Sequence, residues 1–245
     1  MSSAKKDARL QEQMEKAEAS LRRGQWFEAE RLAQRGMEMA RRIEDFGTMA
    51  RICLPLQEAR RQRVQAALEL KKIRILFEGN MEEIKVEAGC YLVMPMQLVG
   101  ADARRLRLAA LRDEKPATVI CCEPPNLRGL WPIVAIGVVT VRAYVEPPEN
   151  EKKPTMKWYV NAMEALGDAG LTGSHVDAGM DLDRQIDAVL GLLDAVPDHE
   201  GLHQVLADMC REAEKGFERN ETPAMSELDA ELALEDETQN DDQGE

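Results

Sequence analysis

Apolar and small residues recur every three or four positions through residues 8–70, which is the spacing of one buried helix face. The positions concerned are Leu10, Met14, Ala17, Leu21, Ala29, Leu32, Ala33, Met37 and Ala40. Gly24 interrupts this run and is typical of a tight turn, so we expect an antiparallel pair of helices around it. A third helix is expected from Phe46 to Leu70, with a kink at Pro55.

From about residue 72 to 146 the chain is rich in Val, Ile and Leu and is broken by turn residues, which is typical of β-strands. The predicted strands are Ile73–Phe77, Ile84–Val86, Tyr91–Val99, Leu106–Leu111, Ala117–Cys122 and Ile133–Val145. The segment Leu106–Leu111 fits a short helix as well as a strand. Because the connections are short and few helices intervene, we expect a mostly antiparallel sheet.

Two details of this region are expected to shape the sheet. Asp113–Pro116 is a compact break that suits a hairpin turn. Ile133–Val145 is apolar on both alternating faces as far as Arg142, and this pattern predicts one central strand that is covered on both sides.

A Pro-rich hinge separates the predicted sheet from a second helical stretch. We expect a helix capped by Thr155 and a Gly-rich loop over 167–179. A further helix should begin at Asp181 and end at Pro197, and a last one should cover 198–217. These helices would pack on a face of the sheet, which makes the predicted fold class α+β.

Composition divides the chain into three regions. Residues 1–70 form the helical region, and residues 71–220 form an α+β region with strands over 72–146 and helices over 155–219. Residues 221–245 form an acidic tail without aromatic residues, for which we expect disorder.

The net charge changes sign along the chain. Residues 1–75 hold 17 Lys+Arg against 11 Asp+Glu (+6), residues 76–220 hold 15 against 24 (−9), and residues 221–245 hold none against 10 (−10), which gives −13 for the whole chain. Phosphate would be repelled by most of this chain, so nucleic acid is excluded as its partner. The tail could instead fold back over the basic first third, or compete with an acidic partner for it.

Composition also limits the class of protein. With 44% hydrophobic and 31% charged residues, the chain can form a substantial core. It contains no apolar run near the ~20 residues that cross a bilayer and no apolar core of a signal peptide, so a cytoplasmic location without a membrane partner is expected. The five cysteines, which form no CxxC pair, are then expected to be reduced thiols.

The sequence LRRGQWFEAERLAQRGMEMA, around the first turn, carries small and aromatic residues at regular positions. Gly24 lies at the turn, Trp26 follows two residues later, and Ala29 lies five residues after the glycine. Gly36 and Ala19 occupy further small positions in the two helices. This pattern resembles the hinge of a tetratricopeptide repeat.

The resemblance covers about a quarter of the chain and departs from the family pattern at two positions. Gln13 stands where the family has a large aromatic residue, and Arg41 stands in place of the closing proline. No convincing second copy follows, although Phe46–Leu70 fits a divergent next helix. An ordinary helical hairpin with small residues at close contacts explains the same pattern. The resemblance implies a grooved surface for a partner helix or peptide, with candidate binding residues Trp26, Arg23, Arg41 and Arg42.

The sharpest local motif is HEGLH at residues 199–203, which satisfies the HExxH pattern. On a helix, His199 and His203 share a face and could bind one zinc ion, while Glu200 would polarise the bound water. Two of the three histidines in the chain lie inside this motif. It therefore predicts a zinc-dependent hydrolase as one possible function.

Three features of the surrounding sequence oppose the zinc interpretation. Pro197 places the motif at the start of a helix, whereas zinc peptidases carry it within one. Leu206 and Met209 stand where the longer zinc-peptidase pattern HExxHxxGxxH has its glycine and third histidine. A glutamate that served as the third ligand would have to come from the helix end or the tail. On a helical wheel, His199 and His203 border the apolar stripe of this helix, so they also suit half-buried structural positions.

No other group of residues completes a catalytic pattern. Alternation along a strand sends Cys121 and Cys122 to opposite faces, and Cys53 and Cys90 have apolar neighbours, so we interpret all four as small core residues. His175 has Ser174 and Asp177 nearby but no GxSxG. The chain contains no phosphate-binding glycine loop, which disfavours nucleotide enzymes.

These observations favour a non-enzymatic interaction or scaffold protein that binds a protein or peptide through the helical hairpin. On this hypothesis the α+β region is a second module or a platform for a homo-oligomer. No cofactor is expected. The alternative is the zinc hydrolase, with Glu200 as the catalytic residue and His199 and His203 as metal ligands.

Overall fold

Seven helices and five strands make up the computed structural model, which describes residues 3–77, 85–94, 99–173 and 180–218. The helices are α1 (Ser3–Arg22), α2 (Trp26–Arg42), α3 (Phe46–Glu69), α4 (Gly100–Arg112), α5 (Met156–Gly173), α6 (Leu182–Ala195) and α7 (Glu200–Glu214). The strands are β1 (Ile73–Leu76), β2 (Gly89–Val93), β3 (Ala117–Cys122), β4 (Trp131–Ile136) and β5 (Thr140–Val145). The predicted α+β class is confirmed. The loop residue His175 and the tail 221–245, for which disorder is predicted, lie outside the described residues.

The first three helices follow one another through three-residue connections and run antiparallel, as the helical spacing predicts. Gly24 has a φ of +71° in the first connection, a backbone conformation that glycine adopts without strain. Between α2 and α3, a β-carbon on Gly36 would lie 3.1 Å from Ile52 Cδ1, so the glycine allows these two helices to approach closely. Pro55 lies inside α3.

The sheet is mixed rather than mostly antiparallel. Its strand order is β1-β2-β3-β4-β5; the pairs β1–β2 and β2–β3 are parallel, and the pairs β3–β4 and β4–β5 are antiparallel. Parallel pairing of β2 and β3 needs a crossover connection, and α4 provides it. Leu106–Leu111 belongs to that helix, in which the buried residues Ala103, Leu106 and Ala110 follow helical spacing. Asp113–Pro116 therefore connects a helix to β3 and is not a hairpin turn.

Ile133–Val145 forms a hairpin of two strands, and the prediction of one central strand is wrong. Strands β4 and β5 pair over six residues each, with Gly137–Val139 between them. The turn packs against the end of α6, where Asp194 Oδ2 accepts a hydrogen bond from the Val138 backbone N at 2.8 Å. As a result β5 lies at the edge of the sheet, and its residues alternate between exposed and buried. The apolar residues around Gly137 conceal this turn in the sequence.

The predicted strands on either side of residue 90 also differ from those observed. Strand β2 runs from Gly89 to Val93, so it starts two residues earlier than the predicted Tyr91–Val99, and residues 95–98 of the predicted strand lie outside the described part of the chain. Residues 85–86 of the predicted strand Ile84–Val86 are not in a strand, and residue 84 lies outside the described part of the chain. Val86 is nevertheless buried in the same cluster as Tyr91, which explains why it is apolar.

Helices cover both faces of the sheet. On one face α4 packs over a cluster that includes Tyr91 and Cys121. On the other face, where Leu92 and Cys122 are buried, α3, α5 and α6 contact the strands, and α7 packs on these helices. Cys121 and Cys122 thus point to opposite faces, as strand alternation predicts. All five cysteines of the chain are buried and unpaired.

The helical region and the sheet share one hydrophobic core. A continuous cluster of buried side chains runs from Leu10 of α1 through Ile52 of α3 and Leu92 of β2 to Leu206 of α7. Helix α3 lies at its centre and contacts α2, α7 and the parallel strands. The change of composition near residue 70 therefore marks a change of secondary structure within one packed unit.

The C-terminal helices begin close to their predicted starts. Thr155 Oγ1 accepts a hydrogen bond from the Trp158 backbone N at 3.2 Å and so caps α5. Helix α5 continues to Gly173 through Gly167, where a loop is predicted. Gly167 is therefore a helical residue, and it lacks a β-carbon because the His199 ring packs directly against it. Among the described helices, none is long and apolar enough to cross a bilayer.

Candidate functional site

The HEGLH motif straddles the start of α7. His199 precedes the helix and has an extended backbone, with φ −85° and ψ 118°, while Glu200 is the first helical residue. The His199 side chain is only 9% exposed, and its Nε2 lies 3.5 Å from Asp168 Oδ1. The Glu200 carboxylate is turned to α3, where it accepts a hydrogen bond from Gln57 Nε2 at 3.4 Å.

His203 uses both ring nitrogens inside the protein. Its side chain is fully buried, and Nε2 lies 3.1 Å from an Arg60 guanidinium N, which can only donate. Nδ1 therefore carries the proton and donates to the His199 carbonyl O at 2.9 Å. Burial, followed by the charge of Arg60, lowers the pKa of His203 to about 3, so the ring is neutral at pH 7.

Arg60 and the neutral His203 belong to a set of charged and polar residues between α2, α3, α7 and the segment before α7. The Glu30 carboxylate, 4% exposed on the side chain, accepts hydrogen bonds from Arg60 Nε at 3.0 Å and Arg63 Nε at 3.1 Å. Arg63 also donates to Asp198 Oδ1 at 2.5 Å. Burial alone would raise the pKa of Glu30, but the charges of Arg63 and Arg60 outweigh it and lower that pKa. We call these five residues the buried arginine cluster: Glu30, Arg60, Arg63, Asp198 and His203.

This geometry leaves the HEGLH motif without the arrangement that zinc needs. His203 has no free ring nitrogen, and the two histidines are joined by a hydrogen bond from one ring to the other residue's backbone. Within the described residues, no group of three or more His, Cys, Asp and Glu side chains could hold a metal ion. The zinc site stays a prediction that metal analysis can test.

Comparison with protein-family models, curated proteins and solved structures gives no match. The tetratricopeptide resemblance of the first helices therefore rests on the sequence pattern alone. The function of the chain has to be argued from its own surfaces.

The residues expected to bind a partner on the helical hairpin have different surroundings. Arg41 donates two hydrogen bonds to Asp187 of α6, at 2.6 and 2.7 Å, so its guanidinium holds α2 and α6 together. Arg23 bonds locally, to Ser20 Oγ and Gln25 Oε1. Trp26 is partly buried at the start of α2, and Arg42 is exposed at the end of that helix. The structure does not bring these four residues to one site.

A groove at the open edge of the sheet gathers positive charge instead. Its floor is apolar and its rim carries four lysines, Lys71 and Lys72 after α3 and Lys152 and Lys153 before α5. The floor is formed by Ile73, Ile75, Phe77, Pro154 and Met156. We call this site the lysine groove. No described residue among those that line it is acidic.

Within the described residues, the lysine groove combines lysines that have few salt-bridge partners with the unpaired edge of a β-strand. Lys72 Nζ lies 3.9 Å from Glu87 on the exposed surface, and the described residues provide no salt bridge to Lys71, Lys152 or Lys153. Among the described strands β1 pairs with β2 alone, so its other side is an edge. The N-terminus of α5 also lies at the groove and adds the positive end of a helix dipole.

The sequence contains a signal for this groove that the sequence analysis missed. Two Lys-Lys pairs, at 71–72 and 152–153, lie at the two ends of the predicted sheet region. The first follows a helix and the second lies within the Pro-rich hinge (146–154), so each pair resembles an ordinary solvated connection. Only the position of β1 at the sheet edge, beside the start of α5, brings the pairs together.

Proposed function

We propose that this protein is a non-enzymatic interaction protein that binds acidic, extended segments of a partner protein in the lysine groove. The observation that carries the proposal is the groove's composition: four lysines around an apolar floor, with no carboxylate among the described residues that line it. In a chain of net charge −13, such a surface is a local exception. An acidic partner would supply the missing counter-charges.

The open edge of β1 suits the backbone of an extended segment. A peptide can add to an exposed sheet edge through main-chain hydrogen bonds, while alternate side chains select the sequence. Apolar side chains of the peptide would face Ile73, Ile75 and Phe77, which point to one face of β1. Lysines at a sheet edge also discourage pairing with uncharged strands, so the same charges would favour acidic partners and exclude others.

On this proposal the helices support the binding surface and do not form it. Helix α3 ends at Glu69, and Lys71 then adopts a left-handed conformation with φ 49° as the chain turns into β1. The buried arginine cluster fixes α3 against α2 and the segment before α7. The groove thus begins directly after a helix that buried ion pairs hold in place.

A titration with an acidic peptide tests the proposal. The probe is a fluorescein-labelled peptide of residues 226–237 (SELDAELALEDE), in which Leu, Ala and acidic residues alternate over several positions. We expect saturable binding that weakens with salt, because exposed ion pairs are screened. The double substitution Lys152→Glu and Lys153→Glu should weaken binding by about tenfold or more, since it replaces attraction with repulsion at the rim.

The matched control removes the same charge elsewhere. Lys16→Glu with Lys215→Glu changes two exposed lysines on α1 and after α7, and should alter affinity by less than about twofold. Equal weakening by both pairs would reduce the effect to net charge and would contradict a specific groove. If the double variant Trp26→Ala, Arg42→Glu lost binding while the variant Lys152→Glu, Lys153→Glu kept it, the binding surface would be the helical hairpin and not the groove.

The zinc hydrolase is tested separately. Elemental mass spectrometry of the untagged protein, beside a His199→Ala variant, measures its metal content. About one zinc per chain, lost in the variant, would establish HEGLH as a metal site. The hydrogen bonds of His203 predict no zinc bound through that residue.

A further inference from the structure

The sheet opens between β3 and β4, and a small cavity lies in the opening. Strand β4 pairs with β5 over six residues, but β3 contributes only Cys121 and Cys122 to its pairing with β4. Beyond that point Ile120 of β3 and Ala135 and Ile136 of β4 line a cavity of about 60 Å³. This cavity is separate from the lysine groove and shares no lining residue with it.

Three nitrogen-bearing side chains line this cavity. Arg104 and Arg107 extend from α4, and His199 comes from the segment before α7. Arg104 Nε and His199 Nδ1 are the only buried side-chain polar atoms of the described residues that have no hydrogen-bond partner. Buried polar atoms are almost always hydrogen-bonded, so two orphaned atoms on residues of one cavity indicate a site that a bound group completes.

Of the two arginines at the cavity, only Arg104 forms a salt bridge among the described residues. Asp194 accepts from Arg104 through Oδ2 at 2.8 Å, and Arg107 donates to the Asp194 backbone O at 2.7 Å. Burial lowers the pKa of Arg107, and the nearby carboxylates of Asp198 and Asp194 do not outweigh this effect. Of the acidic residues that line the cavity, Asp198 is bonded to Arg63 and Glu164 lies 3.9 Å from His199 Nε2.

We infer that this cavity binds a carboxylate group, which accepts hydrogen bonds from Arg104, Arg107 and His199. Guanidinium groups offer only donors and match the two oxygens of a carboxylate in geometry and charge. A cavity of about 150 Å³ holds the six heavy atoms of benzene, so one of about 60 Å³ suits roughly two or three heavy atoms. A carboxylate group, with three heavy atoms, is about this size.

The carboxylate could be a free small acid or the end of a longer one. A wider groove between α3 and α5 shares four lining residues with the cavity, Met163, Glu164, Asp198 and His199. Its apolar lining residues also include Val64, Leu68 and Val160. An aliphatic chain attached to the carboxylate would lie there. A small acid and a longer acid would make the same contacts in the cavity. Only the longer acid would gain affinity from its aliphatic part in the wider groove.

A titration of the full chain with ¹³C-labelled acetate, followed by NMR at constant ionic strength in sodium chloride, tests the inference. We expect saturable binding that is about tenfold weaker in Arg107→Met, because a charge-assisted hydrogen bond is lost. Arg105→Met is the control, since Arg105 is exposed on the same helix and pairs only with Asp102. His199→Gln is a second variant in case Arg107→Met does not fold, and it should also weaken binding.

Hexanoate in the same titration separates the two sources. Binding that is severalfold tighter than that of acetate supports a longer acid, and equal or weaker binding supports a small one. Acetate that binds no better than chloride, as when water alone fills the cavity, overturns the inference. Equal weakening by Arg105→Met and Arg107→Met overturns it as well. The acetate outcomes do not involve the lysine groove, which shares Lys71 with the wider groove but no lining residue with the cavity.

Discussion

The buried arginine cluster and the lysine groove both concentrate positive charge, but only the cluster balances it internally. In the cluster, Glu30 and Asp198 face Arg60 and Arg63, and His203 completes the hydrogen bonds as a neutral ring. In the groove, four lysines surround an apolar floor, and none of the described lining residues carries a carboxylate.

This difference separates stability from recognition. Charges that are taken out of water have to be paired, and a pair that is complete offers nothing to a partner. Charges left unpaired at an exposed edge cost little in water and attract a partner of opposite charge. The motif that looks most catalytic in the sequence, HEGLH, contributes to the first kind of site, whereas the two Lys-Lys pairs form the second.

The largest expected effect comes from breaking the cluster. Glu30→Gln removes the carboxylate between two buried arginines, and removal of one partner from a buried ion pair costs about 3–5 kcal/mol. Urea denaturation measures the free energy of unfolding. Glu38→Gln, on the exposed side of the same helix, should change it by less than about 0.5 kcal/mol. A loss of under about 1 kcal/mol in Glu30→Gln would contradict the role of the cluster.

Acid should destabilise the protein through His203. Its pKa is about 3 in the folded protein against 6.5 when unperturbed, so the unfolded chain binds more protons between these values and stability falls as the pH is lowered from 6.5. Between pH 6.5 and 5 the free energy of unfolding should fall by about 1.5 kcal/mol. The loss should be present in the native sequence and absent in His203→Gln, as denaturation at the two pH values would show. Parallel pH dependence of the two proteins would mean that His203 is not held neutral.

A pair of glycine substitutions on α5 sharpens the account of His199. A β-carbon on Gly167 would overlap the His199 ring, so Gly167→Ala should destabilise the protein by about 1 kcal/mol or more despite the helix propensity of alanine. On the same helix, a β-carbon on Gly170 would lie 3.7 Å from Leu202 Cδ1, which is an ordinary contact. Gly170→Ala should therefore stabilise it, by up to about 1 kcal/mol. Thermal denaturation measures both changes in stability. We expect a lower melting temperature for Gly167→Ala and a higher one for Gly170→Ala, and a change in the same direction would contradict the packing of His199 on Gly167.

The smallest effect concerns competition for the groove by the chain's own acidic tail. The segment 227–236 carries the alternating sequence used as the probe, and a tethered competitor at millimolar effective concentration lowers the apparent affinity for a free one. Asp229→Asn, Glu231→Gln and Glu235→Gln in the full chain should raise affinity for the peptide by about twofold or more. Asp241→Asn, Asp242→Asn and Glu245→Gln remove the same charge and should have little effect. An equal rise in both variants would show a general effect of charge.

Elements defined by local patterns could be predicted from the sequence. The helices of the first 70 residues, the Gly24 turn, the Thr155 cap and the start of α6 after Asp181 follow from spacing, capping and turn chemistry within a few residues. Strand positions were predicted less well, because a turn in the apolar run around Gly137 and the crossover helix α4 change the topology without a strong local signal.

The sites depend on long-range pairing, which a single sequence does not contain. Glu30 meets Arg60 and Arg63 across an antiparallel helix pair, but Asp198 reaches the same place only when α7 packs on α3. The Lys-Lys pairs of the groove are similarly distant in sequence and meet only at the sheet edge. The spacing of HEGLH therefore predicts a candidate site, but it does not predict that His203 is buried with both ring nitrogens hydrogen-bonded.

The most direct test of the lysine groove is zero-length cross-linking of lysine amines to carboxylates in the isotopically labelled 226–237 peptide. The full chain is treated with carbodiimide, and mass spectrometry locates the cross-linked lysines. We predict that the cross-links concentrate on Lys71, Lys72, Lys152 and Lys153, and that excess unlabelled peptide suppresses them. Cross-links spread evenly over the exposed lysines, including Lys16, Lys115 and Lys215, would contradict the account.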